Sequence, residues 1–207
     1  MIEIKHKDSQ EVLLRVDADT LEGQELAGAQ LSGACLSGMN LSRIDLRAAD
    51  LRDVDLSGSQ LDGANFHSAC LSGANLEKAQ LPRADFTDSV IEGANFSEAN
   101  LAGAIFRYAR MPNSNLAGAD LSDADMSMAV LCGNLNHANL TRADLRASDL
   151  RGANLTGANL TGANLTDAMM TNAILARTCW NGAIDAHGHR LGKQKKVQQR
   201  PWWRFWA

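Results

Sequence analysis

Gly152-Ala153-Asn154-Leu155-Thr156 is followed by Gly157-Ala158-Asn159-Leu160-Thr161 and by Gly162-Ala163-Asn164-Leu165-Thr166. One five-residue phrase is written three times in succession, and looser copies extend from it in both directions. With the Leu of each unit taken as its centre, centres recur every five residues from Leu21 to Leu131, which is 23 units. After a four-residue step they resume at Leu135 and run to Leu175, nine more. All 32 centres are apolar: 24 Leu, four Phe, three Met and one Ile. The residue two before the centre is Ala in 22 units and Ser in four more. The residue just before the centre is most often Asn or Asp, and the one two after it is often Gly. Such units cannot bury an apolar face alone, so they must stack on one another.

A period of five excludes the two common backbones. An α-helix turns about 100° per residue, so successive Leu would sit about 140° apart and spiral over every face. A straight strand fails because five is odd, and successive Leu would alternate sides. A bent path succeeds. Ala-Asn-Leu makes a short strand pointing in, out, in, and the next two residues turn a corner. Gly at the second corner position suits the positive φ that tight turns demand. The chain therefore winds as a coil with one flat side per pentapeptide.

The number of sides follows from the bulky centres. Phe66, Phe86 and Phe106 are spaced 20 residues apart, and Met126 continues the series. Four sides per coil stack these four side chains in one ladder, with Phe96 alone opposite; five sides would scatter them. Thirty-two units then make eight coils, and at about 4.8 Å per stacked strand the body is about 38 Å long. A narrow interior explains Ala beside each Leu, since larger groups there would overpack the axis at about 1–3 kcal/mol each.

The A(D/N)LXX pattern of residues 19–179 resembles the pentapeptide-repeat proteins. The resemblance implies an all-β fold, a right-handed quadrilateral β-helix with Leu, Phe and Ala stacked inside. It implies little about activity.

Both ends of such a stack need covers. In residues 1–18, Ile2 and Ile4, then Val12, Leu14 and Val16, alternate mostly with polar residues around Lys7-Asp8-Ser9-Gln10. This predicts a β-hairpin cap. Asp19 and Gln24 fall at inward places, an imperfect first coil. At the other end, residues 180–207 read as a C-terminal cap and tail. Trp180 takes the next centre place and Ile184 follows, a pair suited to plugging the last coil. The tail is basic and ends in Trp202, Trp203, Arg204, Phe205 and Trp206. At the step between Leu131 and Leu135, Gly133 stands where Ala is usual; the step is either a shortened corner or a bend that shapes a surface.

Composition narrows the function. Aromatics are 5 % of the 207 residues, which disfavours a large ligand pocket. The five His pair with no Cys, Ser or acid at a catalytic spacing, and no phosphate loop is present. His187-Gly188-His189 reads as an exposed turn rather than a metal site. The four Cys lie far apart, without a CxxC. No cofactor and no catalysis are expected. The N-terminus shows no apolar signal segment, so a bacterial cytoplasmic location is expected.

Charge is uneven within a formal net of −4: residues 17–179 hold 20 acids and 11 bases, whereas residues 180–207 hold one acid and six bases. An acidic body argues against direct nucleic-acid binding. Asp45, Asp85, Asp125 and Asp144 all precede centres of the Phe66/Phe86/Phe106 side and form a candidate acidic ladder. A non-catalytic scaffold binding an unidentified protein is the first expectation. The resemblance implies an alternative, since some pentapeptide-repeat proteins mimic DNA and protect DNA gyrase from inhibitors. Duplex DNA carries one charge per about 1.7 Å, denser than this ladder, and Arg47, Arg107 and Arg146 dilute it. The tail has three readings: a disordered or loosely packed extension, homodimer formation through its aromatics, by analogy with family members, or contact with an anionic membrane surface.

Overall fold

Each Ala-Asx-Leu triplet is a short extended segment whose first and third side chains are buried and whose middle one faces out. Ala64, Phe66, Ala84 and Phe86 are fully buried, while Asn65 and Asp85 are half-buried. The computed structural model describes residues 1–192 and shows these segments stacked in parallel at a spacing of twenty, as in Asn65 on Asp85 and Asp85 on Ile105. Twenty residues are four pentapeptides, so the body is a right-handed quadrilateral β-helix. We number the sides in chain order. Side one carries the Phe66, Phe86 and Phe106 centres, side two Leu71, Ile91 and Met111, side three Leu76, Phe96 and Leu116, and side four Leu81, Leu101 and Leu121.

Backbone groups are satisfied by one recurring scheme. The Phe66 N–H donates to the Asp85 carbonyl in the next coil at 2.7 Å, and the Asp85 N–H donates back to the Ala64 carbonyl at 2.9 Å. At the corner, the Ala69 N–H donates to the Phe66 carbonyl at 2.9 Å, and Ser68 has φ +58°. A three-residue closure with positive φ at its third position is the geometry of a type II turn. Gly suits this position, and Arg43, Lys78, Asp88, Tyr108, Met128 and Arg177 adopt it too. The stacking bonds hold the corner whatever the side chain; Gly only removes the local strain.

Three side-chain habits explain the repeat's lettering. Asn or Asp before the centre accepts the N–H two residues on, as Asp85 Oδ1 does from Thr87 N at 2.9 Å and Asn154 Oδ1 from Thr156 N at 3.1 Å. This is the local turn-forming bond that short polar side chains offer. Ser replaces Ala inside because its hydroxyl donates to the preceding centre's carbonyl, as in Ser89 to Phe86 at 2.6 Å and Ser148 to Leu145 at 2.7 Å. On side three the amides also chain coil to coil: Asn75 Nδ2 donates to Asp55, Asn95 to Asn75, Asn115 to Asn95, and Asn134 to Asn115 at 2.9 Å.

The aromatic ladder stands as the 20-residue spacing predicts. Phe66, Phe86 and Phe106 stack with centroids 4.7 Å apart and ring planes within 3° of parallel. Phe96 meets Phe86 edge-on from the opposite side at 5.8 Å, and Met126 is fully buried above the stack.

The step at Leu131–Leu135 is a shortened corner between sides two and three. Gly133 N–H closes directly onto the Leu131 carbonyl at 2.8 Å, and Asn134 N–H bonds Ser114 O at 2.9 Å. The stacking offset is nineteen for one coil, from Asn115 on Asn134 to Val130 on Asp149, and twenty again from Asn134 on Asn154. Every side keeps its column across the step.

At the N-terminus, β1 (Ile2–Lys5) and β2 (Val12–Val16) form an antiparallel hairpin with Ile2 opposite Val16. Its edge docks on the first coil: Lys7 N–H donates to Gly33 O and Cys35 N–H to Lys5 O, each at 2.8 Å. His6 lies flat on Gly33, where a Cβ would come within 2.6 Å of its Cδ2. Two end assignments change. Asp19 is exposed and Gln24 only half-buried, because the chain is still leaving the hairpin and pairs with the second coil only from Gly23 onward. At the other end Trp180 is buried as a plug, but Ile184 lies on the outer column, paired with Asn164, and Asp185 takes the centre place. The Asp185 carboxylate survives there because it accepts the His187 and His189 N–H groups at 2.9 and 2.8 Å.

Candidate interaction surface

Stacking fixes the outward residues in straight columns, so any site here is a pattern on a rigid surface. The ladder column on side one reads Glu25, Asp45, Asn65, Asp85, Ile105, Asp125, Asp144, Asn164, Ile184. Asp45, Asp85, Asp125 and Asp144 do share one column, but Asn65 and Ile105 interrupt it. Three of the four are also paired. Arg47 grips Asp45 and Arg146 grips Asp144 through two nitrogens each, and Arg107 reaches across one coil to Asp125. Asp85 is engaged by Thr87, whose hydroxyl donates to it at 2.6 Å. The Arg47 guanidinium holds the Asp45 carboxyl below the usual carboxylate range. Burial opposes ionisation of Asp125, but bonds from Ser127 and Arg107 outweigh it and its pKa is lowered.

The same Asp-Leu-Arg device recurs on side two. Arg52 pairs with Asp50 and Arg151 with Asp149, each through two nitrogens. Asp149 is nearly buried, and the Arg151 guanidinium holds its carboxyl low. Corner arginines do likewise between coils: Arg43 with Glu22, Arg83 with Asp62, and Arg142 with Asp123. At these positions the acids are locally neutralised, so the side-one column is not an unbroken anionic strip.

One region departs from this. Val90, Arg110 and Val130 follow one another in the outward column of side two. Tyr108 and Met128 occupy the adjoining corner between sides one and two, in successive coils, and each is 53 % exposed. Val90 is exposed as well, and Ile105 is half-buried on the other flank of the corner. The Arg110 side chain sits in the middle of this apolar patch, and its guanidinium has no hydrogen-bond or ion-pair partner among the described residues. The register alone could have revealed it: Val and Ile stand where Asx is usual, and Tyr and Met where Gly is usual.

Chemistry-bearing clusters are sparse. Among the described residues no group of three or more His, Cys, Asp or Glu could hold a metal ion. Cys35, Cys70, Cys132 and Cys179 are all free thiols, and burial pushes the Cys132 thiol up. His187 and His189 are exposed on the turn that Asp185 organises. No helix among the described residues is long and apolar enough to cross a membrane. Trp202, Trp203, Arg204, Phe205 and Trp206 lie outside the described residues.

Comparison with known proteins agrees with this geometry. The pentapeptide-repeat family profile matches in eight copies within residues 25–61, 40–77, 69–107, 94–131 and 134–179. No curated protein sequence matches the chain. Among solved structures it is similar to HetL, a pentapeptide repeat protein involved in heterocyst differentiation regulation from the cyanobacterium Nostoc sp. strain PCC 7120. The identity is 32 % over 81 % of this chain and 87 % of that one, with a TM-score of 0.35. A trypsin-treated variant of QnrB1, a plasmid-mediated fluoroquinolone resistance protein, is 24 % identical over 77 % of this chain and 88 % of its own, with a TM-score of 0.56. With the repeat profile covering most of the coiled body, the chain belongs to the pentapeptide-repeat family.

Proposed function

We propose that this protein is a non-catalytic scaffold that binds a protein partner through fixed columns on its coiled surface. The observation that carries this reading is the patch of Val90, Tyr108, Met128 and Val130 around Arg110, on a body whose other outward columns are largely polar or internally ion-paired. Tyr, Met and Arg are the residue types enriched at the centres of protein interfaces. Everything inside the coil is occupied by the Leu, Phe and Ala ladders, which leaves the surface as the working part. The test is affinity capture from the native host with the parent and with an Arg110→Glu variant. A partner retained by the parent and lost by the variant supports the reading; identical captures refute it.

Gyrase protection is the competing reading. A DNA-like surface requires an unbroken anionic column, and Asp45, Asp125 and Asp144 each hold an arginine instead. The expectation is therefore no relief of quinolone-poisoned gyrase in a supercoiling assay at excess protein. Relief would restore the mimic.

A further inference from the structure

Side two carries a pattern of charge that a single chain leaves unused. Its eight rungs run from Gln30 to Met169 in the column before the centres, and from Ser32 to Thr171 in the column after them. Six charges stand on these two columns. Asp50 and Arg52 lie on rung two, Glu92 on rung four, Arg110 on rung five, and Asp149 and Arg151 on rung seven. The Arg110 guanidinium and the Glu92 carboxylate have no hydrogen-bond or ion-pair partner among the described residues.

A two-fold axis through the buried centre column, midway between rungs four and five, sets every one of the six opposite a charge of the other sign. Arg110 meets Glu92, Asp50 meets Arg151, and Arg52 meets Asp149. Moving the axis half a rung in either direction leaves all six facing uncharged residues. The same axis lies halfway between two copies of one eight-residue phrase, residues 45–52 and 144–151, which differ only at Ala49 and Ser148. Shape follows charge. Val90 faces Pro112, apolar on apolar. Tyr108, at the corner before rung five and 53 % exposed, lands beside Gly93, the corner after rung four, which open space surrounds. Met128 lands beside Gly73 in the same way.

We propose that side two is a self-complementary interface, on which a second copy of this chain packs face to face and antiparallel. The inference rests on the reading that this face binds a protein, and it names that protein. Contacts about a two-fold axis are reciprocal, so each pairing above occurs twice in one dimer. Closing the two faces takes Arg110 out of water among valines, which an opposing carboxylate makes tolerable. Asp50 with Arg52 and Asp149 with Arg151 already pair within a chain. Brought together, the two pairs form a ring of alternating sign. Size suffices as well. Eight rungs are about 38 Å long and a strand with its corners is about 15 Å wide, so each copy covers about 550 Å². The total of about 1,100 Å² clears the lower bound for a specific interface.

Sedimentation velocity of the full chain over a concentration series should show a species of twice the 22.2 kDa chain mass. Arg110→Glu alone, or Glu92→Arg alone, places two like-charge contacts in each dimer and should raise its dissociation constant about a hundredfold. Arg110→Glu/Glu92→Arg restores both contacts with the signs reversed and should return to within about tenfold of the parent. A misfolded single variant could not produce that rescue. The native thiols give a second readout. Cys70 on rung three and Cys132 on rung six also face one another across the axis, but within one chain they lie about 14 Å apart along the column. A short bismaleimide should therefore join two chains. Cys70→Ser should abolish the joined species, and Cys35→Ser/Cys179→Ser, on other sides, should keep it. A parent that stays monomeric, a dimer indifferent to both single replacements, a failed rescue, or cross-linking that survives Cys70→Ser would overturn the proposal. A monomeric parent leaves the scaffold reading to the capture experiment, where a foreign partner lost with Arg110→Glu would still support it.

Discussion

Gly133→Ala tests whether the shortened corner is built as described. A Cβ on Gly133 would lie 3.1 Å from the Ser114 nitrogen and 3.3 Å from its carbonyl carbon, and nearer still to the carbonyl oxygen. These are backbone atoms of the adjacent coil, so no side chain can swing aside. An ordinary carbon contact of about 3.5 Å requires the strand to retreat by roughly 1 Å. The Asn134 N–H bond to Ser114 O, 2.9 Å long, spans that gap and would be lost or stretched. Its loss costs about 1 kcal/mol, and overpacking adds about 1–3 kcal/mol. The sum, about 2–4 kcal/mol, corresponds to a fall of about 5–15 °C in Tm for a chain of this size. The control is Gly152→Ala at the same corner one coil on, where φ is +69° and open space surrounds the position. It should lose only about 1 kcal/mol, from the left-handed backbone. Guanidinium denaturation of both variants, with slopes matching the parent, reads the difference. A Gly133→Ala midpoint equal to that of Gly152→Ala would show that the corner has room, and the one-residue step would need another explanation.

Leu155→Asp places an unpaired charge in the fully buried column of side three and should destabilise by several kcal/mol, about 3–5; a parental melting curve would contradict the inward assignment. Phe86→Ala removes the middle ring of a three-ring stack and should cost about 3–5 kcal/mol, more than Phe66→Ala at the end of the stack; equal losses would show that the rings act independently. For Asp50 and Asp149 the guanidiniums of Arg52 and Arg151 lower the folded-state pKa. Stability from such groups is complete above the unfolded value, about 3.9, and is lost as pH falls through the folded one. Asp50→Asn/Asp149→Asn should therefore trail the parent at about pH 7 and converge with it by about pH 2; a gap constant with pH would mean the pairs do not stabilise the fold.

Sequence pattern revealed the interior more fully than the exterior. Leu, Phe and Ala positions were legible because the column beneath each centre is another centre twenty residues on, so one period specified every inward contact. The hairpin was legible from alternation alone. Arg47 and Arg146 were recognised as diluting the ladder, but their two-nitrogen grip on Asp45 and Asp144 depends on rotamers that spacing does not encode. Positive φ was legible at the Gly corners, but not that Arg43 or Tyr108 would share it, because the stacking bonds that hold them there come from the neighbouring coil. Asp185 was hidden for a related reason: a carboxylate at a centre place is tolerable only once the His187–His189 turn has folded over it. The Tyr108–Met128 corner was visible as an irregularity in the pattern, but its meaning needed the adjacency of Arg110 and Val130, two residues and one coil away respectively.

The twenty-residue offset between stacked partners also governs how the molecule tolerates changes of length. Duplicating four pentapeptides adds a storey and returns every downstream side chain to its compass bearing. Duplicating one pentapeptide keeps all Leu indoors but swings the rest of the tower by a quarter turn relative to the N-terminal hairpin. The corner at Gly133 belongs to a third class, a deletion absorbed without rotation. Whole surfaces of this chain can thus be re-aimed by arithmetic on repeat number alone, with no substitution at any buried position.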